Sequence, residues 1–565
     1  MACKFLFPPL LASFLILLTL FTSSFASDDS LTNFFPTKAI CKLTSNPSYC
    51  ITVLKQSRDG NIYDSGRFSI RRSLSKATRF LDLIEKHLQN SSTLPNSIIG
   101  ALKDCQYLAQ LNMNFLSNSF RAVNGTDRKL TYSKADYIQS LLSAILTNID
   151  TCLDGLNTVA SGSSLEKDLL APLIDCTKSY SLSLDLFTKG WVPRRNRNRT
   201  LEHPGKKHLQ FRKGPLPLRM SRHDRAVYNS VANRRKLSSS SDDGVLVNGV
   251  VVVSQDGQGD FLNITDAINA APNNSLASDG YFLIYITAGV YQEYVSVPSK
   301  KKYLLMIGDG INQTIITGNR SVADGWTTFN SATFAVAAEG FMAVNITIQN
   351  TAGAIKGQAV ALRSGADMCV FYSCSFEGFQ DTLYTHSLRQ FFRECDIYGT
   401  VDFIFGNAAV VFQNCNIYPR LPRPGQANMI TAQGRSDPNQ NTGTSIHNCT
   451  IRATPELAAS SSYMNKTYLG RPWKQYSRTV YMQTFIDGFV NPKGWDPWTG
   501  EYLSTLYYGE YNNTGGGSDT KNRVTWAGYH VINNVTDAAN FTISNFLVGD
   551  AWLPPTWVPY MGGFV

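Results

Sequence analysis

Five short segments of this chain share one pattern: Val344-Asn-Ile-Thr-Ile348, Tyr372-Ser-Cys-Ser-Phe376, Arg393-Glu-Cys-Asp-Ile397, Gln413-Asn-Cys-Asn-Ile417 and His447-Asn-Cys-Thr-Ile451. Their third members fall at 346, 374, 395, 415 and 449, in steps of 28, 21, 20 and 34 residues. A constant unit with variable spacing describes a stack of coils whose loops differ in length. Each coil buries its inward face against the next. Residues 246–565 are therefore expected to form a right-handed parallel β-helix, and the 41 Gly, 31 Phe and 26 Tyr of the chain suit a β-rich fold. Cys374, Cys395 and Cys415 would stack at equivalent positions, either bridging neighbouring coils or filling the core as small apolar groups.

The same register aligns two acids. Asp381 follows Cys374 by seven residues, and Asp402 follows Cys395 by seven. On consecutive coils the two carboxylates would lie about 4.8 Å apart. At that separation they cannot both ionise freely, so one is pushed towards its protonated form. Such a pair can divide acid and nucleophile or base roles. A single Asp in a β-helix more often makes a turn or an internal ladder; it is the stacked pair that points to chemistry.

Residues 33–188 change to a helical period. Apolar residues recur at helical spacing from Arg79 to Leu88 and from Tyr137 to Ile149. Asn90, Asn124 and Gly162 mark breaks, so a four-helix bundle with a short helical preamble is expected. Cys41 and Cys50 are close enough to staple a hairpin, Cys105 and Cys152 can tie two long helices, and Cys176 is left as a free thiol.

Residues 189–245 read as a linker, with four prolines and the serine tract Ser238 to Ser241. From Lys189 to Lys236 there are 15 Lys/Arg against Glu202 and Asp224, a charge of +13, whereas residues 237–565 carry −6 and residues 1–188 carry +3. The net +10 is thus one basic linker. It is not a basic folded platform with stacking aromatics, so nucleic acid is not an expected partner. Within the run, Arg234, Arg235, Lys236 and Leu237 form a dibasic-type site that an exocytic protease could cut. A plain solvated tether accounts for the composition equally well.

Residues 1–26 have the form of an export signal. Lys4 is the only charge before Asp28, Leu10 to Phe21 form an apolar core, and Ser24-Phe25-Ala26 is a small-residue cleavage pattern. This stretch is too short for a membrane span, and no later one is long and apolar enough. Export without stable membrane insertion is the expectation. The ten cysteines after Cys3 agree with it, as do sequons at Asn90, Asn124, Asn263, Asn312, Asn345, Asn465 and Asn540.

Five further strings occur in a telling order: Gly289-Val-Tyr-Gln-Glu293, Gln358-Ala-Val-Ala-Leu-Arg363, Gly378-Phe-Gln-Asp-Thr-Leu-Tyr384, Val401-Asp-Phe-Ile-Phe-Gly406 and Leu469-Gly-Arg-Pro-Trp473. In that order they resemble the pectin methylesterases, over essentially all of residues 246–565. Asp256-Gly-Gln-Gly-Asp-Phe261 resembles the family's opening motif, although Leu262-Asn263 replaces the usual threonine-rich continuation. The segment from Ile40 to Cys50 resembles pectin methylesterase inhibitors, and the two together resemble the long plant-type precursor. The resemblance implies Asp402 as nucleophile on a galacturonate methyl ester and Asp381 as proton donor and acceptor. It implies Gln358 and Gln380 as oxyanion donors, Arg471 as the partner that orients Asp402, and Thr328 and Trp473 as substrate contacts. No metal or organic cofactor is implied. The implied partners are pectin, the chain's own inhibitor-like domain, a processing protease and separate inhibitor proteins. A β-helix glycosidase or lyase acting on pectin is the alternative, because paired carboxylates also serve glycosidases.

Overall fold

A computed structural model describes residues 36–57, 60–160, 164–193, 216–231, 243–463 and 466–565. The signal-like residues 1–26, Gly162, the Arg234–Leu237 site and Asn465 lie outside the described residues. Two short helices, α1 (Thr37–Cys41) and α2 (Pro47–Leu54), precede four long ones: α3 (Ile62–Gln89), α4 (Asn96–Val123), α5 (Tyr132–Ala160) and α6 (Ser164–Trp191). Asn61 starts α3 by accepting the N–H groups of Tyr63 and Asp64, and the Asp64 carboxylate accepts the Asn61 N–H in return. That reciprocal cap satisfies donors that a helix start leaves free. Asn90 and Asn124 end α3 and α4. Ile70, Ile84, Leu102, Leu142, Leu169 and Leu184 fill the bundle core. The expected disulfides Cys41–Cys50 and Cys105–Cys152 are formed, and Cys176 is a buried free thiol.

The second part is a parallel β-helix of three sheets, with twelve, eight and seven strands. Ser375 pairs with Asp396, Asp396 with Asn416, and Asn416 with Thr450. The residues just before them, Cys374, Cys395, Cys415 and Cys449, therefore share one stacked position, all buried and all free thiols. Of the two roles left open for these cysteines, they take the core-filling one. The residue before each cysteine (Ser373, Glu394, Asn414 and Asn448) turns the corner with φ between 51° and 57°. Asn tolerates this left-handed backbone better than most residues, which accounts for its recurrence in the repeat. Phe371, Phe392 and Phe412 stack inside at ring separations of 4.7 Å, close to the strand spacing.

Part of the linker is built into the fold, which corrects the reading of 189–245 as a tether throughout. Leu218–Arg219 pairs with Val245–Leu246 at the edge of the twelve-stranded sheet. Helix α7 (Arg222–Val231) follows and packs Tyr228 edge-on against Tyr285, ring centroids 5.1 Å apart. The abundance of charge hid two buried leucines, Leu216 and Leu218.

The seven-stranded sheet positions the site. Its strands are β1 (Val295–Val297), β2 (Phe334–Val336), β3 (Leu362–Ser364), β4 (Leu383–Thr385), β5 (Ile404–Gly406), β6 (Asn428–Gln433) and β7 (Thr467–Pro472). Leu362, Leu383 and Ile404 point inward, and the alternate residues form one outward row: Ala335, Arg363, Tyr384, Phe405, Ala432 and Arg471. Helices α4, α5 and α6 lie over this row. Tyr107 meets Phe329, while Thr151 bonds His386 at 3.0 Å and lies 3.5 Å from the Tyr384 hydroxyl. Asp154 pairs with Lys474 at 2.9 Å, and Ser181 donates to Asp437 at 2.6 Å. Phe329, Val360, Tyr384, Phe405 and Ala432 thereby join the bundle's apolar core.

Candidate active site

The glutamines and aspartates of the site sit where coils turn into the seven-stranded sheet, and Arg471 lies within its last strand. Gln358 precedes β3, Gln380 and Asp381 precede β4, and Asp402 precedes β5. Leu383 pairs with Ile404, so Asp381 and Asp402, each two residues upstream, occupy one position on consecutive coils. Both are held at positive φ, 63° and 52°. A non-glycine residue there carries backbone strain, which the surrounding ladder must hold in place.

Asp402 receives two bonds from Arg471, from Nε at 2.8 Å and Nη2 at 2.6 Å. This bidentate pair fixes the carboxylate plane. Arg471 lies in turn 3.8 Å from the ring centroid of Trp498. Burial pushes the Asp402 carboxyl up, and the bonds and charge of Arg471 pull it back. Among the described residues, Asp381 has no such partner. Burial first, and then the charge of Asp402, push it well above the ordinary carboxylate range, with Arg471 opposing more weakly. The outcome is an unequal pair, Asp402 raised and Asp381 raised much further, the asymmetry acid–base chemistry needs.

The two glutamines lie on consecutive coils, Gln358 one coil before Asp381 and Gln380 next to it in the chain. The Gln380 carbonyl accepts the Ala359 N–H at 3.2 Å, which ties the two turns together. Gly357, just before Gln358, adopts φ +69°, a left-handed backbone that favours glycine. Gln358 and Gln380 are both half-buried. Thr328 lies on the turn entering β2, its carbonyl spent on the Ser331 hydroxyl. Trp473 packs on Phe405, centroids 6.0 Å apart, and crowds Gly434 so closely that a Cβ there would fall 2.8 Å from the indole.

The sequence reading did not single out the aromatic row beside the aspartates. Tyr384 and Phe405 stack at 4.1 Å, and Phe329 and Trp498 flank the same face. Tyr384 and Phe405 stand inside quoted motifs, and the strand alternation there could have revealed their outward aim. Among the described residues, no group of His, Cys, Asp and Glu could hold a metal ion.

Residues 250–550 match the family model described as Pectinesterase, and residues 37–190 match that of Plant invertase/pectin methylesterase inhibitor. The chain belongs to the pectinesterase family. Among curated relatives, Probable pectinesterase/pectinesterase inhibitor 20 of Arabidopsis thaliana is 60% identical over 531 residues, 93% of each chain. Pectinesterase 2 of Citrus sinensis is 43% identical over 536 residues, 93% of this chain and 94% of its own. Among solved structures, the pectin methylesterase from carrot matches with a TM-score of 0.55 at 53% identity, over 58% of this chain and all of the carrot chain. The β-helix of this pectinesterase is thus preceded by an inhibitor-family bundle, and that bundle lies directly over the site-bearing sheet.

Proposed function

We propose that this member of the pectinesterase family hydrolyses the methyl esters of pectin through Asp402 as nucleophile and Asp381 as acid and then base. The observation that carries the reading is the unequal pair: Asp402 gripped by Arg471 at 2.8 and 2.6 Å, Asp381 buried beside it without a cation of its own. An oxygen of Asp402 attacks the ester carbonyl, and the Gln358 and Gln380 amides donate to the oxyanion that forms. Asp381 gives its proton to the departing methoxide, leaving methanol and an acyl-enzyme. It then takes a proton from the water that hydrolyses the acyl group, which restores both carboxyls. Thr328 and Trp473 hold sugar units on either side.

The bundle lying over Tyr384 and Phe405 supports a restraining role for it in the uncut chain. A protease acting at Arg234–Leu237 would be the first step in lifting the restraint, and separate inhibitor proteins of the same class are further expected partners. The signal-like residues 1–26 and the two disulfides of the bundle support export. The test is to separate the reactions by product. Methanol release from methyl-esterified polygalacturonate without new chain ends is the expected result. New reducing ends would instead mean a glycosidase, and new unsaturated ends a lyase.

A further inference from the structure

The outward row of the seven-stranded sheet steps down beside Arg363. Its in-register neighbour on β4 is Tyr384, but on β2 and β1 the row continues as Ala335 and Ser296. Two short side chains next to a long one leave a hollow, and α4 roofs it with Lys103, Asp104 and Tyr107. The result is a cavity of about 220 Å³ whose walls come from both parts of the chain, with Lys103 at its exposed rim.

Arg363 lines this space with a charge that the fold does not answer. The residue is only 7% exposed. Its Nε donates to the Phe329 carbonyl at 2.9 Å, and the guanidinium carbon lies 3.5 Å from the Phe329 ring centroid. Among the described residues nothing accepts from Nη1 or Nη2, and no carboxylate forms an ion pair with the guanidinium. A buried cation left without a partner is strongly destabilising. With one face against the Phe329 ring and Nε spent, the guanidinium turns two N–H groups to the cavity, a planar fork that matches an oxyanion.

The acid in the cavity wall is engaged elsewhere. Asp104 accepts from the Thr327 hydroxyl through one oxygen and from the Asn330 amide through the other. Burial raises its carboxyl to about 7, so below that pH it is mostly protonated and leaves Arg363 uncompensated. The other titratable groups facing the guanidinium bring no negative charge. Burial raises the Tyr107 and Tyr384 phenols, while burial and then the charge of Arg363 lower His386 to about 3, which keeps it neutral. We propose that the cavity binds one small inorganic oxyanion, held by Nη1 and Nη2 of Arg363 with Lys103 at the rim, and that this anion fastens the bundle to the sheet. A site walled by both parts exists only while they are docked, so its ligand favours the docked form by mass action. The cavity is below the size that takes larger organic ligands, and α4 shuts it off from a polymer. The inference does not depend on the esterase reading.

Inorganic phosphate is the probe, added to the uncut chain near pH 5 and compared with sodium chloride at equal ionic strength. Hydrogen exchange at residues 334–336, on β2 beneath α4, reports opening. Phosphate at about ten times its dissociation constant should slow that opening about tenfold relative to chloride. The effect should fade above about pH 7, where Asp104 ionises and supplies the negative charge itself. Arg363→Gln removes the fork, and Ser296→Tyr fills the hollow while leaving Arg363 in place; each should abolish the difference between phosphate and chloride. Should Arg363→Gln not fold, Ser296→Tyr alone decides. Phosphate and chloride acting alike on the wild-type chain would overturn the site. So would a phosphate effect that survives in either folded variant, because the anion would then sit elsewhere, on the basic linker for instance.

Discussion

The bundle and the β-helix both bury carboxylates, for different reasons. In the β-helix, Asp381 and Asp402 are brought together by the register of one continuous ladder and stay together whatever the bundle does. In the bundle, Asp104, Asp136, Asp150 and Asp185 face the catalytic part, and each accepts at least one hydrogen bond from it that exists only while the two parts are docked. Asp104 bonds Thr327 and Asn330, and Asp150 accepts from Ser436. One set of buried acids is a permanent feature of a fold, the other a record of an encounter. The first should govern chemistry and the second should govern access.

The sharpest break of this comparison comes at the permanent pair. Asp402→Asn in the processed enzyme should cut methanol release on the order of 10⁴-fold, and adding Asp381→Asn should cost little more, because the two act as a unit. Additive losses in steady-state kinetics would show that the carboxyls work independently. Gln380→Ala should lower kcat by roughly 10²–10³-fold with little change in KM. A change confined to KM would make Gln380 a binding residue.

The difference between the regions also decides what could be read from the sequence. In the β-helix each coil repeats the last, so the spacing from Cys374 to Asp381 and from Cys395 to Asp402 is a coordinate, and the stacked aspartates were legible. The bundle has no such ruler. Its helices and both disulfides followed from period and spacing, but its seat over Tyr384 and Phe405 depends on contacts such as Thr151 with His386, between residues 235 positions apart. Nothing in local pattern marks such a pair.

The conditional set predicts a pH response. Burial raises Asp104 to about 7, opposed by bonds from Thr327 and Asn330 and by the charge of Arg363. Burial raises Asp150 to about 6 against Lys474 and Ser436, with Asp154 and Asp437 adding to the rise. Asp185 also reaches about 6, through burial and Asp437, against Ser45 and Lys189. Burial raises Asp136 as well, opposed by Arg389 and Asn441 and reinforced by Asp367. Carboxyls raised on docking contribute stability that is fully present below their free value near 4, and that is lost as pH climbs through about 6 to 7. Moving the uncut chain from pH 5 to pH 8 should therefore weaken docking by about tenfold or more, because a carboxyl that must hold a proton to stay docked loses a factor of ten for each pH unit above its free value, until the docked form ionises as well. Hydrogen exchange at residues 383–385, beneath α5, would report it as faster opening at high pH. An exchange profile independent of pH, after correction for intrinsic rates, would mean that these acids do not control access. Asp104→Asn should flatten part of the response.

The smallest expected effect lies where the two regions join. A cut at Arg234–Leu237 severs the chain beyond α7, yet Leu218–Arg219 stays paired with Val245–Leu246, and Tyr228 stays against Tyr285. The segment 216–231 would therefore go on anchoring the bundle to the β-helix after cleavage. Release then needs a second event, the peeling of one short edge strand and one helix. Tyr228→Leu keeps an apolar side chain but loses the edge-on aromatic contact, worth about 1 kcal/mol, so it should speed separation of the cut parts roughly fivefold. Size-exclusion chromatography at fixed times after cutting would measure this. If wild type and Tyr228→Leu separate at the same rate, the edge strand does not hold the parts together, and the timing falls to the contacts beneath the bundle, the buried acids among them.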